Sequence, residues 1–211
     1  MDISSNRAPV HGSRETHPGG YRLTDRAARL CGLSRGISVL DMGCGQGESL
    51  RYLAEKYAVS AVGIDSDSSV RELFESNCPG ARFILADACH ERVAGAPFDA
   101  VFIECALSVM SAPREALSRA KDALAVSGAL AVSDIYLKAP NRRGGSGAPW
   151  DFNALCGMVE GAGFEILKAE DHTPALATYR AERYAAGDTG NMGAYRGLGY
   201  MLIAAVCKDG A

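Results

Sequence analysis

Three carboxylates and three glycines carry the first chemical signal in this chain. Asp41 precedes the run Gly43-Cys44-Gly45-Gln46-Gly47, Asp65 closes an apolar stretch over 59–65, and Asp87 closes another over 83–87. Glycine lets a backbone take φ > 0 and lets a ligand approach without a Cβ in the way. A turn of that kind after a strand and before a helix marks the carboxyl edge of an open α/β sheet, where ligands bind. Dinucleotide sites want G-x-G-x-x-G. Here the third position is Glu48, and the glycine spacing is G-x-G-x-G. A carboxylate at Asp41 repels a pyrophosphate and suits a ligand with a cationic portion. Asp65 is placed to accept hydrogen bonds from ribose hydroxyls, and Asp87 from an adenine amino group. Each acid alone reads equally well as a helix cap. Together with the glycine turn, they point to one crevice.

The elements that position them follow from apolar spacing. Helical spacing covers 23–33, 48–57, 68–78, 114–126, 151–161 and 174–186, while strand-like runs cover 37–41, 59–65, 83–87, 98–104, 129–135, 164–169 and 200–208. Strands alternating with helices predict parallel α/β layering with right-handed crossovers. Residues 98–104 are nearly continuous in apolar character, as befits a strand buried on both faces. Residues 138–150 read as a loop containing Arg142-Arg143, and 187–199 as glycine-rich and irregular. No internal repeat or low-complexity tract is present.

The composition excludes several classes. The chain has 211 residues, 47% hydrophobic and 22% charged, which suits one folded domain rather than a disordered or fibrous chain. The net charge is −3, with 22 Lys+Arg against 25 Asp+Glu, so a nucleic-acid partner is not expected. No stretch approaches the ~20 apolar residues of a membrane span, and the first residues lack the apolar core of a signal peptide. Seven widely spaced cysteines without a CxxC predict reduced thiols and a cytoplasmic location. Cys89-His90 is adjacent rather than at ligand spacing, so no metal site is expected.

With those residues in hand, the chain resembles the class I S-adenosylmethionine-dependent methyltransferases. The resemblance lies in VLDMGCGQG (39–47), GIDSD (63–67), LADA (85–88), FDAVFIECALS (98–108) and GALAVSDIY (128–136), and it spans about residues 22–170. His17-Pro18-Gly19-Gly20, Leu23-Thr24 and Asp171-His172-Thr173 are similar to a subgroup of small bacterial enzymes in that family. The Asn/Asp-Pro-Pro-Tyr motif of enzymes acting on adenine or glutamine amino groups is absent, since the segment reads Glu104-Cys105-Ala106-Leu107.

The resemblance implies an α/β, doubly wound, seven-stranded, mostly parallel sheet with an antiparallel last strand, the Rossmann-like methyltransferase fold. It implies one methyltransferase domain over 1–211: an arm over 1–21, a cofactor-binding core over 22–170, a lid over 171–199 and a last strand over 200–211. The implied cofactor is S-adenosylmethionine, leaving S-adenosylhomocysteine as product. Asp41 and the backbone of Gly43, Cys44, Gly45 and Gly47 would hold the methionine part. Asp65 would bind the ribose, Ser66 would lie near the adenine, Asp87 and Ala88 would face it, and Glu104 would contact the methionine amino group. The expected partner is a small-molecule acceptor, with no nucleic acid and no membrane; oligomeric state is left open.

Glu104, His17 and Tyr21 are the candidate catalytic residues, with His172 and Tyr136 as further bases. Glu104 and Cys105 are expected at the mouth between cofactor and substrate. A general base helps only if the acceptor carries a proton to lose, and several enzymes manage by positioning in a closed pocket. Two alternatives stand beside this reading: a binding module that holds S-adenosylmethionine without turnover, and a nicotinamide-dependent oxidoreductase.

Overall fold

The computed structural model describes residues 17–139, 150–188 and 195–208. The N-terminal arm before His17, the Arg142-Arg143 loop and residues 189–194 of the expected lid lie outside the described residues.

One seven-stranded sheet organises the chain. Its strands are β1 (Ser38–Met42), β2 (Ser60–Asp65), β3 (Arg82–Leu85), β4 (Phe98–Glu104), β5 (Leu124–Leu137), β6 (Phe164–Asp171) and β7 (Leu198–Cys207). Their spatial order is β3-β2-β1-β4-β5-β7-β6. β1 to β5 pair in parallel, and β7 runs antiparallel between β5 and β6. The chain winds outward from β1 through β2 to β3, then returns to lay β4 on β1's other side. That reversal opens a crevice at the carboxyl ends of β1 and β4. The glycine turn follows β1, and Glu104 ends β4. The topology therefore brings them together.

The helices are α1 (Gly20–Leu30), α2 (Glu48–Tyr57), α3 (Arg71–Asn77), α4 (Pro113–Ala123), α5 (Phe152–Gly161) and α6 (Thr173–Ala185). Successive strand residues face opposite layers: Leu40 and Ile103 enter the core on one side, Val39 and Phe102 the core on the other. Phe74 on α3 is fully buried, with its ring against the positions a Cβ would take at Gly47 and Gly63. α1 buries Leu23, Thr24, Ala27 and Ala28. It is clasped to α2 by Asp25, which accepts from Lys56 and from the Tyr57 hydroxyl at 2.7 Å.

Three boundaries differ from the sequence expectation for local reasons. β5 begins at Leu124, ahead of Ser127-Gly128; a Cβ on Gly128 would meet the Leu124 side chain at 2.8 Å, so the glycine permits a tight irregularity that the strand passes through. β3 ends at Leu85 because Asp87 turns the chain: its carboxylate accepts the Cys89 N–H at 2.8 Å, and its carbonyl accepts from His90 and Glu91. Residues 68–70 form a 3₁₀ turn before α3 rather than helix. The expected lid region comprises the end of β6, α6 and the start of β7, with Leu176 and Tyr179 of α6 buried.

One buried carboxylate fixes the segment that follows β4. Asp134 on β5 accepts from the Ser108 N–H and hydroxyl, each at 2.7 Å, and so pins the 3₁₀ turn Leu107–Val109. Burial pushes its carboxyl up to about 6, against hydrogen bonds that pull it down.

Two stability predictions follow from these contacts. Phe74→Ala removes a fully buried ring and should cost about 3–5 kcal/mol, lowering Tm by roughly 10 °C in a melting experiment. For Asp134, the native pKa lies above the unfolded one, so the native state holds more protons between them. Relative to Asp134→Asn, the wild type should lose stability as pH rises from about 4 to about 6, by at most about 3 kcal/mol, and level off above. Denaturant titrations across that window read the difference.

Candidate functional site

The glycine turn is built by three left-handed residues: Gly43 at φ +81°, Gly45 at φ +50° and Gly47 at φ +78°. At two of them the room is used by the protein rather than by an approaching ligand. A Cβ on Gly43 would sit 2.4 Å from the Cβ of Ala106, and one on Gly47 would meet the Phe74 ring at 2.8 Å. Gly43 and Cys44 donate to the Ile64 carbonyl at 2.8 and 3.2 Å, tying the turn to β2. Gly45 N–H donates to the Asp65 carboxylate at 2.8 Å. Cys44 turns its thiol inward, where a Cβ on Gly63 would touch it.

The three strand-end acids then divide by environment. Asp41 is 3% exposed, and its Oδ1 has no hydrogen-bond partner. Burial, reinforced by the charges of Glu104 and Asp65, pushes its carboxyl well above the usual range. Asp65 is half-buried and accepts from Gly45 and, at 2.9 Å, from the Asp67 N–H. Asp87 is half-buried; the Cys89 N–H beside it holds its carboxyl below the ordinary value, with His90 adding to the effect. Ala88 is buried next to it, and Ser66 is exposed.

Glu104 is the fourth acid. It is buried at the end of β4, and its Oε1 also lacks a partner. Its Oε2 accepts the Thr24 hydroxyl at 3.1 Å. The His17 ring closes over the same hydroxyl, with Nε2 3.1 Å from Thr24 Oγ1 and 3.8 Å from Glu104 Oε2. The structure thus brings together two of the three expected catalytic residues, His17 and Glu104. It engages the third elsewhere. The Tyr21 hydroxyl donates to Glu48 and accepts from Arg51 at 2.5 Å, and its ring stacks on Tyr52 at 4.8 Å. Burial and the Glu48 bond push that phenol up to about 12, so it holds its proton through the neutral range.

His172 lies 3.1 Å from Glu170, which also takes two bonds from Arg26 at 3.2 and 2.6 Å. Tyr136 packs edge-on against Phe152, with its hydroxyl 3.4 Å from Thr173. Cys105 carries φ +54°, a left-handed conformation costly for a side chain. Its sulfur sits 2.9 Å from the buried Tyr200 hydroxyl, which donates to Ser133 at 3.1 Å. Among the described residues no group of three or more His, Cys, Asp or Glu could hold a metal ion, and no helix is long and apolar enough to cross a membrane.

Sequence reasoning did not assign a role to Thr24. The signal was available: it is a hydroxyl on the apolar face of an amphipathic helix, between Leu23 and Ala27. Nor did it anticipate a cleft of about 730 Å³ lined by Pro113, Arg114, Leu137, Trp150 and Asp151.

Comparison with known proteins agrees with this architecture. Residues 39–128 match the methyltransferase domain family. The chain is 32% identical over 101 residues to trans-aconitate 2-methyltransferase of Rhizobium rhizogenes, an alignment covering 47% of this chain and 39% of that enzyme. The chain therefore spans well under half the length of that relative. Among solved structures, the [4+2]-cyclase SpnF superposes with a TM-score of 0.73 at 25% identity, covering 90% of this chain and 82% of that one. Haemonchus contortus phosphoethanolamine N-methyltransferase 2, in complex with phosphomonomethylethanolamine and S-adenosylhomocysteine, superposes with a TM-score of 0.74 at 17% identity, covering 94% of this chain and 55% of that one. The glycine turn after β1, the acids ending β2 and β4, the antiparallel β7 and the matched methyltransferase domain are together what this chain shares with the Rossmann-like S-adenosylmethionine-dependent methyltransferases.

Proposed function

We propose that this chain binds S-adenosylmethionine in the crevice between β1 and β4 and transfers its methyl group to a small-molecule acceptor. One observation carries the reading: Asp41 Oδ1 and Glu104 Oε1 are buried carboxylate oxygens without donors, on the adjacent strands β1 and β4. A buried acceptor left unpaired costs roughly 1–3 kcal/mol, more when charged. An ammonium group brings three donors and a positive charge, which answers both defects. The residues present fit the cofactor.

Asp41 and Glu104 would hold the methionine ammonium. Asp65 keeps acceptor capacity for ribose hydroxyls, and its bond from Gly45 fixes its orientation. Asp87 and Ala88 would border the adenine, with Ser66 at its exposed edge. The bound cofactor supplies an electrophilic methyl on a sulfonium. The chain's part is to orient, to exclude water and to receive a proton when the acceptor has one to lose. Glu104 would take that last role. The 730 Å³ cleft at the end of β5 would be the acceptor's entry.

Binding and turnover are separate questions here, because the similarly folded SpnF is a [4+2]-cyclase. A module that binds the cofactor without turnover is therefore the second reading.

Thermal unfolding with S-adenosylmethionine, S-adenosylhomocysteine and NAD separates the cofactor classes. At a hundred times its Kd a ligand stabilises by about 2.7 kcal/mol, a rise of roughly 5–10 °C at this size. Both sulfur nucleosides should give that rise, and NAD should give none. A rise with NAD alone would overturn the reading. Asp65→Ala removes hydrogen bonds to a charged group, worth about 1.5–3 kcal/mol, so calorimetry should show Kd raised about ten- to hundred-fold.

A further inference from the structure

His17, Thr24 and Glu104 form a hydrogen-bonded trio beside the crevice. All three are buried, at 5%, 0% and 9% exposure. His17 Nδ1 lies 3.2 Å from the Pro18 carbonyl, which only accepts, so Nδ1 carries a hydrogen. His17 Nε2 and Glu104 Oε2 each lie 3.1 Å from the single hydroxyl of Thr24. That hydroxyl has one hydrogen to give. Its other acceptor, the Gly20 carbonyl, is 3.5 Å away, at the margin of a hydrogen bond.

Two arrangements satisfy both short contacts. In the first, Thr24 donates to Glu104 and accepts from Nε2–H, giving an imidazolium facing a carboxylate. In the second, Thr24 donates to Nε2 and accepts from Glu104 Oε2–H, giving a neutral imidazole and a carboxylic acid. Both contain the same number of protons. They differ by one hydrogen moving from Oε2 to Oγ1 while another moves from Oγ1 to Nε2. The direct Nε2–Oε2 separation of 3.8 Å is too long for a hydrogen bond, so the hydroxyl is the required intermediary.

We propose that His17, Thr24 and Glu104 hold one shared proton, with the Thr24 hydroxyl as its bridge, so that Glu104 meets the crevice as a carboxylate only when His17 is an imidazolium. The other titratable groups set the bias. Asp41 from β1, the Cys31 thiol after α1 and the Tyr200 hydroxyl from β7 all feel the charge of Glu104, and none of them is a cation. A cation entering beside Asp41 and Glu104 draws the shared proton to His17. Cation binding and the charge of His17 are thereby linked. Thr24 is a positioning residue in this scheme. Its value to methyl transfer rests on the proposed function, whereas the shared proton itself does not.

The test is ¹⁵N NMR of the His17 ring in the ligand-free full chain, assigned with His17→Gln. In the wild type, Nδ1 should report full protonation, and Nε2 a value between its protonated and bare limits. Thr24→Val, nearly isosteric and checked for unchanged melting, should send Nε2 to one limit, as should Glu104→Gln. Thr24→Ser should restore the intermediate value. The same Nε2 signal in wild type, Thr24→Val and Glu104→Gln would overturn the proposal. Adding S-adenosylmethionine should then move Nε2 of the wild type toward the protonated limit, but not that of Thr24→Val. Intermediate Nε2 values without any thermal shift from the cofactor would uphold the shared proton and sink the cofactor reading instead.

Discussion

Like charges crowded into a buried crevice cannot all ionise unless a cation joins them. Asp41, Glu104 and Asp65 meet at the carboxyl ends of β1, β4 and β2, and the first two are largely shut away from water. The cost of that arrangement is visible in Asp41, whose carboxyl is pushed far above its ordinary range by burial and by its two acidic neighbours. A protein tolerates such a site when ligand binding recovers what folding gave up. Much of the surrounding structure keeps these acids dry and in place.

Two kinds of support do so. The glycine turn is held from below by Phe74 and laterally by the Ile64 carbonyl, while Ala106 packs against Gly43 from the segment after β4. That segment is in turn pinned by Asp134 through Ser108. The floor of the crevice and its β4 wall are therefore mechanically joined, and a change at either should be felt at the other. Above them, α1 brings Thr24 and His17 onto Glu104 and is itself clasped to α2 by Asp25 and by the Tyr21–Glu48–Arg51 bonds. Tyr21 thus serves the site by holding the helix that covers it.

Family and chemistry are tied together more loosely than fold and family. The trans-aconitate enzyme and the phosphoethanolamine enzyme are named for unlike acceptors, one a carboxylic acid and one an amine, and a cyclase shares the architecture. A shared fold therefore leaves the acceptor open.

The sequence by itself determined the layered α/β class, the position of the glycine turn and the three strand-end acids. Those features are local: the apolar period sets each strand or helix, and each acid sits at or just past the end of a strand whose direction the parallel topology dictates. α2 and β4 were legible to the residue because Gly47 and Glu104 are sharp local boundaries. Pairing between distant segments was decided only by tertiary structure. The Cβ space at Gly43 and Gly47 turned out to be taken by Ala106 and Phe74, residues 63 and 27 positions further along the chain. Thr24 and Glu104, 80 residues apart, share a hydrogen bond that no spacing rule foretells. Tyr21, an equally reasonable catalytic candidate by type, was drawn to Glu48 and Arg51 because the α1–α2 contact supplied nearer partners. Which side chains meet is set by how the elements pack, and one-dimensional periodicity carries no record of that.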